Sequence, residues 1–237
     1  MIFINCGGSR FRLGATIALL ALLLSAGGCQ TTPEMEPGQD ALTADGAEAT
    51  PVIERLPDPY LADRPSVSGA AKRRFQDALD ALAAQQWDVA ETDLLWLTQN
   101  YPTLSGPYLN LALLYQRSGQ PGKVEAAYQQ AISANPSNVA AYNQLGIYLR
   151  GEGRFSEAEQ IYQQALVVWP DSAESHLNLG ILYDLYMGDL DRALAQYQAY
   201  QALQDEPDRQ VQGWIVDTER RLADRQGDEQ AAASGGE

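Results

Sequence analysis

Residues that build metal centres, disulfides and nucleophilic sites are scarce in this chain. It has two cysteines, Cys6 and Cys29, both close to the N-terminus, and one histidine, His176. These side chains provide neither a disulfide framework nor the ligand set of a zinc site. A serine nucleophile needs a base and an orienting group, and His176 is the only imidazole available. The sequence therefore predicts no metal, no cofactor and no catalytic residue.

Basic residues are also few. The chain carries 16 Lys and Arg against 31 Asp and Glu, which gives a formal net charge of −15. Nucleic-acid binders need a basic surface that displaces counterions from phosphates, so this balance argues against DNA or RNA as a partner. No glycine-rich phosphate loop follows a strand pattern. The carboxylates available for paired hydrolysis resemble ordinary surface residues: Glu125, Glu157, Glu159 and Glu174. We expect a protein that is not an enzyme and has no small-molecule substrate.

The N-terminal segment, residues 1–28, has the features of an export signal. A twelve-residue apolar run at 13–24 follows Arg10 and Arg12, and it is too short to span a bilayer comfortably. Small residues then lead to Cys29. This arrangement resembles the lipobox of bacterial lipoproteins, although Ala26 stands where that motif usually has a branched aliphatic residue.

The lipobox resemblance implies that the chain is cut before Cys29, which then carries a diacylglycerol and an amide-linked acyl chain. Several acyl chains anchor a protein stably to a membrane, where one chain would bind only marginally. Gln30 follows the cysteine in place of Asp, which by the family's sorting rule implies the periplasmic face of the bacterial outer membrane. An uncleaved anchor and ordinary secretion are the alternatives.

Residues 29–68 have the composition of a disordered tether. They are rich in Ala, Thr, Asp and Glu, contain six prolines and show no sustained period. A coil of about 40 residues typically spans ~35 Å, so the tether would let the following domain stand off the membrane. Its apolar residues at 52–53, 56 and 60–61 either form a short docking motif or are incidental.

From Ser105 onward the sequence repeats itself at a fixed offset of 34. Three sets of positions in the first half recur: Tyr108, Tyr142 and His176; Leu111, Leu145 and Leu179; Ala112, Gly146 and Gly180. The second half recurs likewise and ends at Pro136 and Pro170. Large apolar residues at three- and four-residue steps predict helices, and a single helix pair cannot bury its apolar face, so copies must stack. His176 is expected to be a packed replacement for an aromatic residue.

This period and these residue types resemble the tetratricopeptide repeat (TPR), a helix–turn–helix unit. The resemblance implies an all-α, right-handed solenoid of about four repeats over residues 69–206. The repeats run over approximately 71–104, 105–138, 139–172 and 173–206. The fourth has one extra residue after Tyr183, and bulky Tyr200 replaces a small residue, which indicates either a C-terminal boundary or a specialised pocket. Residues 207–226 predict a capping helix, and 227–237 a disordered tail.

Amide side chains recur on the first helix of each pair. Asn110, Gln144 and Asn178 are spaced by one repeat length, each two positions after the aromatic one. The TPR resemblance implies that this position faces the concave surface, where an amide ladder would bind the backbone of an extended peptide. Their neighbours would add pockets, although some belong to the core: Leu109, Leu113, Asn143, Ile147 and Tyr148. The alternative is that the amides are ordinary polar residues of a solvated face.

One familiar TPR ligand is disfavoured. Chaperone-binding TPRs hold a terminal carboxylate with Lys, Arg and Asn on the concave face, and the corresponding positions here have no cation. A terminal carboxylate would go unpaired there.

Three classes of function remain open. The favoured one is a membrane-anchored, periplasmic scaffold that binds a protein or an extended peptide segment. Resemblance to TPR lipoproteins extends this to assembly of a type IV pilus or secretion system, with an adaptor that recruits cell-wall (peptidoglycan) hydrolases or synthases as the alternative. An enzyme would depend on His176 or a carboxylate. A structural oligomeriser would self-associate through exposed repeat faces that include Tyr197 and Tyr200.

Overall fold

The computed structural model describes residues 55–62 and 65–234. All regular structure in these ranges is helical: α1 (Pro59–Ala62), α2 (Gly69–Ala83), α3 (Trp87–Asn100), α4 (Ser105–Arg117), α5 (Pro121–Ala134), α6 (Val139–Gly151), α7 (Phe155–Val168), α8 (Ala173–Leu182), a π-helical turn (Tyr183–Met187), α9 (Leu190–Ala202) and α10 (Arg209–Ser234). The predicted signal peptide, Cys29 and most of the tether lie outside the described residues. None of the helices in the described ranges is long and apolar enough to cross a membrane.

The helices from α2 to α9 form four consecutive pairs. The two helices of a pair pack extensively on each other, and the second helix of each pair contacts the first helix of the next. α10 packs on α9 at the end of the series. This arrangement confirms the predicted all-α solenoid of four helix–turn–helix repeats with a C-terminal capping helix.

Small residues let the two helices of a repeat approach closely. A Cβ atom on Gly146 would lie 2.4 Å from Cε1 of Tyr162, and one on Gly180 would lie 2.7 Å from Cδ1 of Tyr197. Both tyrosine rings are buried. In repeats three and four the tyrosine ring of the second helix therefore lies directly against the backbone of the first, where glycine leaves room for it. Repeat two has Ala112 at the same position, opposite the buried Tyr128.

The extra residue of repeat four is absorbed by the π-helical turn that continues α8. The turn ends at Gly188, which has φ 66° and whose N–H donates to the carbonyl of Tyr183. Glycine adopts this left-handed conformation without a steric penalty. Asp189 then caps α9 by accepting a hydrogen bond from the backbone N–H of Arg192 at 3.1 Å. The wider turn keeps Tyr197 against Gly180 despite the additional residue.

The capping helix is longer than the sequence predicts. α10 begins at Arg209 and continues to Ser234, so residues 227–234 are helical where we expected disorder. Gln, Glu and Ala in this stretch favour a helix, and one glycine among them does not end it. The ring of Trp214 lies 5.5 Å from that of Tyr197, centroid to centroid, which seals the last repeat.

The described end of the tether contacts the turn between repeats three and four and the segment after α9. The backbone N–H of Leu56 donates to Asp171, and the indole Nε1 of Trp169 donates to the carbonyl of Leu56 at 2.9 Å. Arg55 forms a salt bridge with Asp205 at 2.9 Å. The Leu56 side chain itself remains 53% exposed. The tether is therefore held here by the backbone of Leu56 and by the charge of Arg55. The Leu56 side chain, one of the apolar residues that suggested a docking motif, is not what holds it.

Candidate peptide-binding groove

The first helices of repeats two to four carry the predicted amides. Asn110 lies in α4, Gln144 in α6 and Asn178 in α8. α8 contacts α6 directly as well as α7, so successive first helices share one side of the array. We call this side the inner face.

The three amides differ in accessibility. Asn110 is fully buried, and its Nδ2 donates to the carbonyl of Gly106, one turn back in the same helix, at 2.9 Å. Asn178 is 8% exposed, whereas Gln144 is half-buried. The structure thus places the amides in one register but gives them unequal access to a partner. Their role in peptide binding stays a prediction.

Apolar side chains accompany Gln144 on the accessible part of the inner face. Ile147, Leu177 and Ile181 are half-buried and pack against the core at one edge. Leu109, which the sequence placed near a pocket, is fully buried, and Asn143 is buried and accepts a hydrogen bond from Ser175 Oγ at 2.9 Å. By their positions in the repeat, these side chains lie on the inner face of α6 and α8, a surface of aliphatic side chains with interspersed amides that suits an extended peptide. We call it the α6/α8 groove.

His176 is held by structural contacts. Its Nδ1 lies 2.8 Å from Oε1 of Gln196, and its Nε2 lies 2.9 Å from the carbonyl oxygen of Pro170. The ring links α8 to α9 and to the preceding turn, in the aromatic register that the sequence indicated. Within the described ranges, no group of three or more His, Cys, Asp or Glu is placed to hold a metal ion.

A periodic row of glutamates joins successive repeats, and sequence reasoning missed it. Each glutamate accepts hydrogen bonds from a cation of the following repeat, at 3.3 Å, 2.5 Å and 2.6 Å for the closest contacts: Glu91 with Lys123, Glu125 with Arg154, and Glu159 with Arg192. Tyr115 also donates to Glu91 at 3.0 Å, and burial, with help from this carboxylate, raises the pKa of Tyr115 to about 12. The three glutamates recur one repeat length apart, like the core positions, so the signal was present in the sequence.

This glutamate row contributes more to register than to stability. The Arg154 and Glu125 side chains are 36% and 35% exposed, and exposed ion pairs contribute about 0–1 kcal/mol each. The pairs are repeated at each junction and join equivalent positions of successive repeats, which favours one register of each repeat on the next.

Comparison with known proteins identifies the repeat. Residues 137–206 match a family model of the tetratricopeptide repeat, and residues 106–138 match a second one. Comparison with curated proteins finds no match.

Solved structures give the same answer for the fold. PilF of Pseudomonas aeruginosa has 21% sequence identity and a TM-score of 0.56, over 71% of this chain and 78% of PilF. PilW, a widely conserved type IV pilus biogenesis factor, has 22% identity and a TM-score of 0.51, over 59% of this chain and 64% of PilW. A thermophilic TPR protein of Thermus thermophilus has 24% identity and a TM-score of 0.51, over 62% of this chain and 80% of that protein. Identities this low establish the fold alone.

The family matches, the stacked helix pairs and the small–large packing within each pair agree. Residues 106–206 are tetratricopeptide repeats in an all-α TPR solenoid, a protein-interaction scaffold.

Proposed function

We propose that this chain is a lipid-anchored scaffold on the periplasmic face of the bacterial outer membrane, where it holds an extended segment of a client protein. The observation that carries the proposal is the α6/α8 groove. Half-buried Ile147, Leu177 and Ile181 offer apolar contact, and Gln144 offers both hydrogen-bond donors and an acceptor to a peptide backbone. A groove on rigid stacked helices binds without first having to be ordered, which favours affinity.

Support for the anchor comes from the sequence. The apolar run at 13–24, the small residues before Cys29 and the Pro-rich stretch that follows match what a lipidated, tethered domain needs. Replacing Cys29 by Ala should release the chain from the membrane fraction. Unchanged membrane retention of Cys29→Ala would exclude lipid anchoring at this residue.

The client we favour belongs to an envelope assembly such as a type IV pilus or a secretion system. The support is the likeness in fold to PilF and to PilW, the latter a type IV pilus biogenesis factor. A tethered TPR domain suits such a role because its tether lets one anchored molecule reach subunits at a range of distances from the bilayer.

Crosslinking in cells tests the proposal. A photoreactive residue at Ile147 should capture a protein of the assembly machinery, and the double variant Gln144→Ala with Asn178→Ala should lower its yield several-fold. The matched control is Gln130→Ala with Gln164→Ala, because these amides are also one repeat length apart but are exposed on the second helices. Capture of a peptidoglycan hydrolase or synthase would refute the assembly role, and equal losses in both double variants would refute the groove.

A further inference from the structure

In repeats two and four, a residue at or just after the end of the first helix accepts a hydrogen bond from the buried tyrosine of the second helix. In repeat two, the hydroxyl of Tyr128 donates to Oε1 of Gln116 at 3.2 Å. In repeat four, the hydroxyl of Tyr197 donates to Oδ2 of Asp184 at 3.3 Å. Gln116 and Asp184 are two repeat lengths apart in sequence, so they occupy the same position of the repeat. A hydroxyl buried under the first helix thus has a fixed partner.

Repeat three breaks this rule. The residue at the same position is Arg150, and a guanidinium can donate hydrogen bonds but cannot accept them. The Tyr162 hydroxyl and Nη1 of Arg150 are both buried, and neither has a hydrogen-bond partner among the described residues. Two donors therefore occupy a place where repeats two and four have one donor and one acceptor. The missing group is an acceptor, and a negative charge would satisfy both donors best.

Other arginines of the array show what Arg150 lacks. Arg192 contacts Glu159 at 2.6 Å, and Arg221 contacts Asp184 at 2.6 Å. Arg150 instead lies against an aromatic ring, with its guanidinium carbon 5.5 Å from the centroid of Tyr186. Arg150 as a residue is half-buried although its Nη1 atom is buried, so part of its side chain reaches the surface.

A partly exposed aromatic ring lies beside Arg150. Tyr186 belongs to the π-helical turn, is 45% exposed and packs on Phe155 with ring centroids 5.2 Å apart. Helical turns of this kind are rare and occur frequently at functional sites. Burial raises the pKa of the Tyr162 hydroxyl; Arg150 opposes that rise and Glu174 adds to it, which places both charges near the hydroxyl.

We infer that Arg150 and the Tyr162 hydroxyl form a subsite for a carboxylate of the segment that occupies the α6/α8 groove. This inference rests on the proposed function, because it concerns the same client. Arg150 is not at one of the positions that correspond to the carboxylate-binding residues of chaperone-binding TPRs, so the expectation for those positions is unchanged. A carboxylate oxygen would accept from Arg150 and from Tyr162 at once, while the apolar part of the ligand residue lies against Tyr186. The carboxylate can come from a Glu or Asp side chain or from a chain terminus.

Peptide titrations on the purified full chain test the subsite. The probes are short alanine peptides with blocked ends and a central Glu, the same peptide with a central Gln, and an all-alanine peptide with a free C-terminal carboxylate. We expect the Glu peptide to bind about tenfold or more tightly than the Gln peptide, since charge-assisted hydrogen bonds are the strong ones. Tight binding of the third peptide instead would assign the subsite to a terminal carboxylate. Equal binding of all three would overturn the inference.

Two variants locate the effect. Arg150→Gln installs the acceptor that repeat two has, so the variant should fold with an unfolding midpoint at or above that of the parent and should lose the preference for carboxylate. Tyr162→Phe removes a donor without a partner and should keep the fold while reducing the preference several-fold. Tyr128→Phe is the control, because it breaks the bond to Gln116 and should leave the preference unchanged. A preference that survives Arg150→Gln would overturn the inference.

Glu174 is a carboxylate of the chain itself that could compete with a ligand for Arg150 and the Tyr162 hydroxyl. If the subsite is for a ligand, Glu174→Gln should raise the affinity for the Glu peptide, since it removes a nearby negative charge. If Glu174 instead turns inward as the missing acceptor, Glu174→Gln will lower the unfolding midpoint and leave peptide affinity unchanged, which would contradict the inference.

The crosslinking experiment in cells separates failure of the subsite from failure of the proposed function. If an assembly protein is captured equally well by the parent and by Arg150→Gln, the subsite is refuted and the proposed function is not. If the purified chain prefers the Glu peptide but no client is captured in cells, the proposed function is refuted and the subsite is not.

Discussion

Replacing Gly146 by Ala is the sharpest test of how the repeats pack. The new methyl group would lie 2.4 Å from Cε1, 2.6 Å from Cζ and 2.8 Å from Cδ1 of Tyr162. These are three atoms of one buried ring, so the ring or the helix that carries it must shift to admit the methyl group. Overpacking of this kind costs about 1–3 kcal/mol, while Gly to Ala inside a helix returns about 1 kcal/mol. The net loss should therefore lie between about 0 and 2 kcal/mol, and the three contacts under 3 Å favour the upper end.

Chemical denaturation followed by helical circular dichroism measures this loss. Gly151→Ala is the control, because Gly151 lies in the same helix and a Cβ there meets no atom within 4 Å. That variant should be as stable as the parent or slightly more stable. A Gly146→Ala protein as stable as Gly151→Ala would refute the close-packing argument.

A second substitution separates packing from other causes. Repeat one has Ala78 and Leu94, both fully buried, at the positions of Gly146 and Tyr162. In a Tyr162→Leu background, Gly146→Ala should therefore cost much less than in the parent. The two changes are in contact, so their energies should not add. Simple additivity would show that the ring is not what excludes the methyl group.

Three further predictions concern the junctions between repeats, the tyrosines and the tether. Glu125→Gln should lower the free energy of unfolding by no more than about 1 kcal/mol, because the ion pair with Arg154 is partly exposed. Salt at molar concentration should reduce the difference in stability between parent and variant, and a loss that does not depend on salt would contradict the ion-pair account. Tyr115 has its pKa raised to about 12 by burial and by Glu91, above the value of about 10 in an unfolded chain, so its contribution to stability is complete below about pH 10 and is lost as the pH rises toward 12. Thermal unfolding across that alkaline window, read beside tyrosinate absorbance, should show stability falling, and constant stability there would refute the shift. Trp169→Phe removes the indole donor to the Leu56 carbonyl and should speed limited proteolysis of residues 55–62 without changing global unfolding; unchanged cleavage would mean that this bond does not hold the segment.

The repeat architecture was predictable because each TPR unit packs mainly on itself and its neighbours. The fixed period therefore identified the pairs, their small positions and the capping helix from local patterns alone. The sequence also indicated the extra residue after Tyr183. It did not indicate a π-helical turn, because one added residue can lengthen either a loop or a helix, and local propensity does not distinguish the two. The helical state of 227–234 was missed because composition there resembles that of a disordered tail.

Side-chain environments were the less predictable part. Register placed Asn110, Gln144 and Asn178 on one helix position, but small differences in how each helix lies against its neighbours decide whether an amide is buried. Arg150 was overlooked for a different reason. Its meaning depends on the comparison with Gln116 and Asp184, and the hydrogen bonds of those residues to buried tyrosines are visible only in three dimensions.

The features that depart from the repeat pattern lie at the two ends of α8. At its N-terminal end, Trp169 and Asp171 hold the tether, and its C-terminal end continues into the π-helical turn, where Tyr186 meets Arg150. An array of equivalent repeats gains stability from uniform packing. The π-helical turn departs from that packing, and so do Arg150 Nη1 and the Tyr162 hydroxyl, which have no hydrogen-bond partner among the described residues. Both features therefore lower the stability of the array. Such features persist where the surrounding structure tolerates them, and they concentrate at sites of function. The regular parts of this array explain why it folds, and the irregular junction of repeats three and four is where a partner has most to gain from binding.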